Sequence, residues 1–243
     1  MNYQKDFRKF ALSEGISSLR LDYFENSLTP YILEERQMNV TQMDVFSRLM
    51  RDRIIWLSGP VNQNMCDIVQ AQLMFLASQE KKDIKMYINS PGGSVINGLG
   101  IVDVMRYIDS DIETINLGMA ASMGSILLSS GTKGKRSALN FSKVMIHQVS
   151  SGASGHVADN RISQMESEKY NYILFKMLAE NCNKPFDEVL ESARRDNWLN
   201  SQESLDFGLI DEIIITDKST PITTLLEGFD EYYYKEVLGK KLL

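Results

Sequence analysis

The chain has 243 residues, 43% of them hydrophobic and 24% charged, the balance of an ordinary globular protein long enough to bury a sizeable core. A formal net charge of −6 argues against nucleic acid or an anionic membrane as a partner. The N-terminus mixes charges with single apolar residues, and no apolar run approaches the roughly 20 residues of a membrane helix, so neither a secretory nor a membrane role is expected.

Residues 1–28 are polar with scattered aromatics and read as an extension outside the main core. RIIWLSG (53–59) is a short β-branched apolar run closed by Ser-Gly, which predicts a buried strand. Met65, Ile68, Val69, Leu73 and Leu76 then recur at helical steps. IKMYINS (84–90) predicts a second strand, stopped by Pro91-Gly92-Gly93, and residues 98–108 a second helix. IETINLG (112–118) predicts a third strand, followed by the small-residue run that holds Ser122; KVMIHQ (143–148) predicts a fourth. A long helix fits residues 157–181, Pro185 suits the first turn of another, and GLIDEIII (208–215) predicts a last strand. Strands alternating with helices define an α/β domain with much parallel pairing.

Serine attacks a carbonyl only when a neighbouring base activates it and a third group orients that base. The chain has two histidines. His147 ends an apolar strand, where α/β sheets open onto ligand crevices, whereas His156 sits in a Ser/Gly-rich stretch and reads as a solvated residue. The Pro-Gly-Gly turn offers backbone N–H groups outside any ladder, as an oxyanion hole requires, although Gly-Gly is also common in plain turns. Ser122 taken alone favours a small-residue packing seam, since serines flanked by alanine and glycine abound in cores. Cys66 and Cys182 lack a CxxC partner and any metal-ligand spacing with the histidines, and read as free thiols of a reducing cytoplasm. No P-loop is present, and nothing calls for a metal or an organic cofactor.

Taken in order, YINSPGGSV, GMAASMGS, KGKRSALNFSKVMIHQ and RRDNWLNSQESLDFGLIDEI resemble the proteolytic subunit of the Clp protease over residues 28–216. The resemblance implies a crotonase-like fold of repeated ββα units with a protruding handle helix, and two stacked heptameric rings around a proteolytic chamber. It divides the chain into an extension or propeptide (1–28), a peptidase domain (29–216) and a C-terminal tail (217–243). By position it assigns Ser122 as nucleophile, His147 as base and Asp196 as orienting carboxylate, with Gly93 and Met123 as oxyanion donors. Apart from the resemblance Asp196 has a weak claim, since SARRDNWL otherwise reads as a solvated helix end. The family further implies an axial pore lined by Thr29 to Glu35, and a Clp-type AAA+ unfoldase that delivers unfolded polypeptide in the cytoplasm to a pocket including Tyr87, Ile115, Leu117 and Ser137.

The sequence departs from the family at several points. Val149 and Asn140 stand where proline is usual, His156 replaces a glutamine, and Ser137 replaces an aromatic residue of the docking pocket. Arg194 precedes Arg195 where an acidic residue would help pair the rings, and two arginines facing their own copies would repel. These departures suggest a divergent subunit that assembles with a paralogue. The competing readings are a structural or regulatory ring subunit with a misaligned triad, and a crotonase-type acyl-CoA enzyme.

Overall fold

A computed structural model describes residues 3–18, 31–36, 39–152, 154–216 and 218–233. After α1 (Tyr3–Ser13), an antiparallel hairpin pairs β1 (Tyr31–Arg36) with β2 (Asn39–Asp44), and α2 (Val45–Arg51) follows with Asp44 as its N-cap. The domain then alternates through β3 (Ile54–Ser58), α3 (Gln63–Gln79), β4 (Ile84–Ser90), α4 (Val95–Tyr107), β5 (Ile112–Ala121) and α5 (Met123–Ser129). β6 (Arg136–Leu139), β7 (Lys143–Ile146), α6 (Val157–Cys182), α7 (Phe186–Ser192), β8 (Asn197–Leu199), α8 (Ser201–Phe207) and β9 (Glu212–Ile214) complete it. Two short helices, α9 (Ile222–Leu225) and α10 (Phe229–Tyr232), lie beyond β9.

β3, β4, β5, β6 and β9 form a parallel sheet in that order. β4 explains why the sheet has two unlike faces. Its Ile84, Met86 and Ile88 are buried, Lys85 and Asn89 are exposed, and Tyr87 is half-buried, a strict period of two. The buried set contacts α5 and shares one core with α3, α4 and α6, the four helices packing one on the next. The other face carries Trp56, Tyr87, Ile115, Ser137 and Glu212 side by side in register.

β5 pairs with two strands in succession because it bulges. Between the pairs Ile88–Asn116 and Ser90–Ala120 it spends two more residues than β4, so its first half meets β6 and its second half meets β7. Asparagine side chains satisfy the displaced backbone: Gly118 N–H donates to Asn116 Oδ1 and Met119 N–H to Asn89 Oδ1, both at 3.2 Å. β5 therefore extends to Ala121, three residues past the expected end, and carries the first part of the small-residue run as strand, while Met123–Ser129 of the same run forms α5.

Two expectations need correcting. The N-terminal segment is not wholly outside the core: Phe7 and Ala11 of α1 are buried, and the rings of Phe7 and Phe10 lie 6.0 and 5.7 Å from that of Phe75 on α3. Its helical spacing of Phe7, Phe10 and Ala11 is a short apolar stripe masked by the surrounding charges. The last strand is only three residues long, because Gly208 ends α8 in a left-handed conformation and Leu209 and Ile210 are buried in a turn before β9. Thr29, Pro30 and residues 234–243 lie outside the described residues. No helix among the described residues is long and apolar enough to cross a membrane.

Candidate active site

Strand register brings the expected residues together. β5 and β7 are parallel with Ala121 beside Met145, and Ser122 N–H donates to Met145 O at 2.9 Å. β7 and β8 are antiparallel with Ile146 beside Asn197, so the next step along each strand sets His147 against Asp196. The side chains complete the line. His147 Nε2 lies 2.9 Å from Ser122 Oγ, and His147 Nδ1 lies 3.0 Å from Asp196 Oδ1. Asp196 is 66% exposed at its side chain and His147 20%, so the carboxylate end of the line faces solvent.

Ser122 sits at a sharp corner between β5 and α5, with φ 53° and ψ −122°. Such a conformation costs on the order of 1–3 kcal/mol for a residue with a Cβ and persists only where neighbours hold it. The Pro-Gly-Gly turn closes against this corner. A Cβ on Gly92, whose φ is +86°, would come within 2.6 Å of Ala121 O and of Ser122 Cβ, so only glycine fits. The buried Ser90 fixes the turn: its hydroxyl accepts from Gly92 N–H at 3.1 Å and donates to Gly59 O at 2.7 Å. Gly93 N–H has no acceptor among the described backbone bonds, and Met123, the first residue of α5, has an N–H that the helix cannot engage.

Gly93, Ser122, Met123 and His147 border a cavity of about 220 Å³. Its far wall is apolar, made by Val95, Ile126, Leu174 and Phe175. The arrangement combines a hydroxyl, an imidazole, a carboxylate, two outward N–H groups and an apolar recess, the parts needed for acyl transfer to serine.

Further contacts that the sequence did not announce hold the same region. Gln148 Nε2 donates to Arg194 O at 2.8 Å, tying the residue after His147 to the loop that carries Asp196. Val149 N–H donates to Asn171 Oδ1 on α6 at 2.9 Å, a bond that a proline at 149 could not make. Neither Gln148 nor Asn171 belongs to a spacing pattern, so only their partners reveal them. His156 is exposed at the N-cap of α6 without a side-chain capping bond.

The remaining expected positions are also located. Tyr87, Ile115 and Ser137 are direct cross-strand neighbours, with Leu117 two residues further along β5. Tyr87 and Leu117 are half-buried, while Ile115 and Ser137 are each 2% exposed. Ser137 Oγ is buried without a hydrogen-bond partner. Arg194 and Arg195 are exposed, and Arg194 Nη1 lies 3.6 Å from Glu191 Oε2 of the same protomer, which offsets part of its charge. Asn140 uses both ends of its amide, donating to Thr220 O at 2.7 Å and accepting from Ile222 N–H at 2.9 Å. Among the described residues no three His, Cys, Asp or Glu side chains converge to hold a metal ion.

Comparison with known proteins shows the family of the chain. The pattern described as Clp protease matches residues 36–217. The chain is 50% identical over 216 residues to ATP-dependent Clp protease proteolytic subunits of Bacteroides fragilis (strain YCH46) and Bacteroides thetaiotaomicron, an alignment covering 86% of this chain and 98% of each relative. The corresponding subunit of Porphyromonas gingivalis is 45% identical over 215 residues, covering 86% of this chain and 97% of its own length. The chain belongs to the Clp protease family, as a polypeptide-hydrolysing subunit of the serine-hydrolase type.

Proposed function

We propose that Ser122, His147 and Asp196 are the catalytic triad of a serine endopeptidase. The observation that carries this reading is the unbroken line of hydrogen-bond distances from Ser122 Oγ through His147 to Asp196, beside a cavity bordered by free N–H groups. His147 takes the Ser122 proton as Oγ attacks the scissile carbonyl, and the N–H groups of Gly93 and Met123 hold the oxyanion that forms. The imidazolium, stabilised by Asp196, then gives its proton to the leaving amine. His147 then takes a proton from a water that attacks the acyl carbon, the bond to Ser122 Oγ breaks, and His147 returns the proton to Oγ as the acid is released. The apolar wall of the cavity suits an apolar side chain on the acyl side of the cut bond.

A fluorophosphonate probe and a fluorogenic peptide test this assignment together. The assembled protein should label at Ser122 and cleave the peptide, and Ser122→Ala should abolish both. Assembly without labelling would favour the ring-scaffold reading. The distances favour the enzyme, and family membership leaves the acyl-CoA reading without support.

The same reading extends to assembly. Residues 1–28 form an extension or propeptide, 29–216 a peptidase domain of ββα units, and 217–243 a tail. α6 is the handle helix: Val157, Ile162 and Met165 in its first half are 69%, 57% and 50% exposed and await a facing ring. The sheet face around Tyr87, Ile115, Leu117 and Ser137 receives a AAA+ unfoldase, which feeds unfolded polypeptide to the chamber in the cytoplasm. The small buried Ser137 and the paired Arg194 and Arg195 favour assembly with a paralogous subunit. Native mass spectrometry of the chain alone and with such a paralogue decides this. A stable, peptide-cleaving homotetradecamer from this chain alone would rule the heteromer out.

A further inference from the structure

If Ser122 is the nucleophile, the peptide unit joining it to Met123 is the part whose orientation matters most. Its N–H is one of the two donors bordering the cavity, and its carbonyl points the opposite way because the unit is planar and trans. Fixing that oxygen therefore aims the N–H. Two donors converge on Ser122 O, and both belong to Ser125: its backbone N–H at 3.0 Å and its hydroxyl at 2.7 Å. Ser125 is 1% exposed and borders the same cavity as Ser122 and Met123.

We propose that Ser125 is a positioning residue for the oxyanion hole, acting through the Ser122–Met123 peptide unit; the proposal rests on the triad reading above. The need arises from the strain at Ser122. At φ 53° and ψ −122° the residue lies off the favoured conformations, and rotation of the following peptide unit is the route by which it would relax. Such a rotation turns the Met123 N–H away from the cavity. The N-terminal side of Ser122 is held by its N–H bond to Met145 O, and Ser125 holds the C-terminal side. An alanine at position 125 would supply the backbone donor alone. Ser129, in the same helix, makes the same kind of bond to Ile126 O at 3.2 Å, but that carbonyl belongs to an ordinary helical peptide, one turn beyond the strained corner.

The test compares wild type, Ser125→Ala, Ser125→Thr and Ser129→Ala in assembled particles of verified native mass. It reads kcat and KM on a fluorogenic peptide and the inhibition constant of a peptide boronate. In that adduct Ser122 Oγ bonds to boron, its proton passes to His147, and a boronate oxygen occupies the oxyanion position. Ser125→Ala should lower kcat about 10-fold at unchanged KM, short of the roughly 10²–10³ lost when an oxyanion donor is deleted outright. Boronate affinity should fall by a similar factor. Ser125→Thr, which keeps the hydroxyl, should restore both, and Ser129→Ala should change neither. A Ser125→Ala particle with kcat within twofold of wild type, a loss confined to KM, or a threonine variant as impaired as alanine would overturn the proposal. Failure of a fluorophosphonate to label Ser122 in active wild type would instead overturn the triad reading beneath it.

Discussion

Two polar centres on one sheet are built in opposite ways. Around Arg136 every strong group is answered: its guanidinium meets both oxygens of Asp211 at 2.5 and 2.8 Å and donates to the carbonyls of Ser129 and Asn181. Asp211 also accepts from the backbone N–H of Gly134 and of Arg136. Around Ser122, by contrast, a strained residue, a carboxylate open to water and free N–H groups surround an unfilled space. A satisfied cluster holds a fold together, while an unsatisfied one beside a cavity is prepared for a ligand. Charge alone does not distinguish the two; completeness of bonding does.

The largest effects should fall at the open centre. His147→Ala should reduce kcat by at least about 10⁴-fold with little change in unfolding free energy, since a triad acts as a unit. Asp196→Asn should cost less than the roughly 10⁴ of a triad aspartate shut away from solvent, about 10²–10³, because water shares its role at an exposed carboxylate. Steady-state kinetics on a small peptide measures both. Equal losses for the two variants would mean that Asp196 is covered in the working assembly.

The closed centre should respond the other way. Arg136→Met leaves Asp211 without its partner and should destabilise the fold by about 3–5 kcal/mol in urea, with kcat per folded molecule unchanged. The pH dependence follows from the carboxyl. Burial raises the Asp211 value, but hydrogen bonds from the Arg136 side chain, its charge and the two backbone N–H groups outweigh burial and hold it below 3.8. A depressed value means that the unfolded chain binds the proton more readily. The stabilisation is therefore complete above that ordinary value and is lost as pH falls through the folded one. Arg136→Met should flatten the acid side of the stability profile; an unchanged profile would assign acid unfolding to other carboxylates.

Smaller effects sharpen the contrast. Asn140→Ala removes two bonds to the segment after β9 and should speed tryptic cleavage at Lys218 several-fold, with a global cost of about 1–2 kcal/mol. The smallest expected change is none. Burial pushes the Cys66 thiol up to about 11 and that of Cys182 to about 12, so neither should react with iodoacetamide at pH 8 while folded. Mass spectrometry of the alkylated protein reads this directly, against Ser122, which should react with its own class of probe.

Much of the sheet was legible in the residues. β4 matched its apolar alternation from Ile84 to Ser90, and the stripe through Ile68 and Leu76 marked α3, because burial on one face imposes a period. β6 and β8 were not legible. RSAL and NWL are too short to show a period, and their pairing with β5 and β7 supplies what their sequence lacks. At the site, His147 could be picked out by its place at a strand end, but Ser122 taken alone favoured a packing seam, and it needed the family resemblance, as did Asp196 in its charged loop. Its place opposite His147 depends on an antiparallel register that no local pattern encodes. At the two positions where proline is usual in the family, Asn140 makes two side-chain hydrogen bonds and Val149 one backbone bond, none of which a proline could make.

The bond from Val149 to Asn171 gives α6 a mechanical property. The helix runs 26 residues, about 39 Å at 1.5 Å per residue, with its last turns embedded against the core and its first turns projecting. Asn171 lies between those two portions, about 21 Å from the free end, and its grip is two residues from the imidazole. The helix therefore has a long arm that pivots at the Val149–Asn171 bond, two residues along the chain from His147. By that arm length, a displacement of about 4 Å at Val157 corresponds to a tilt of about 11° at Asn171.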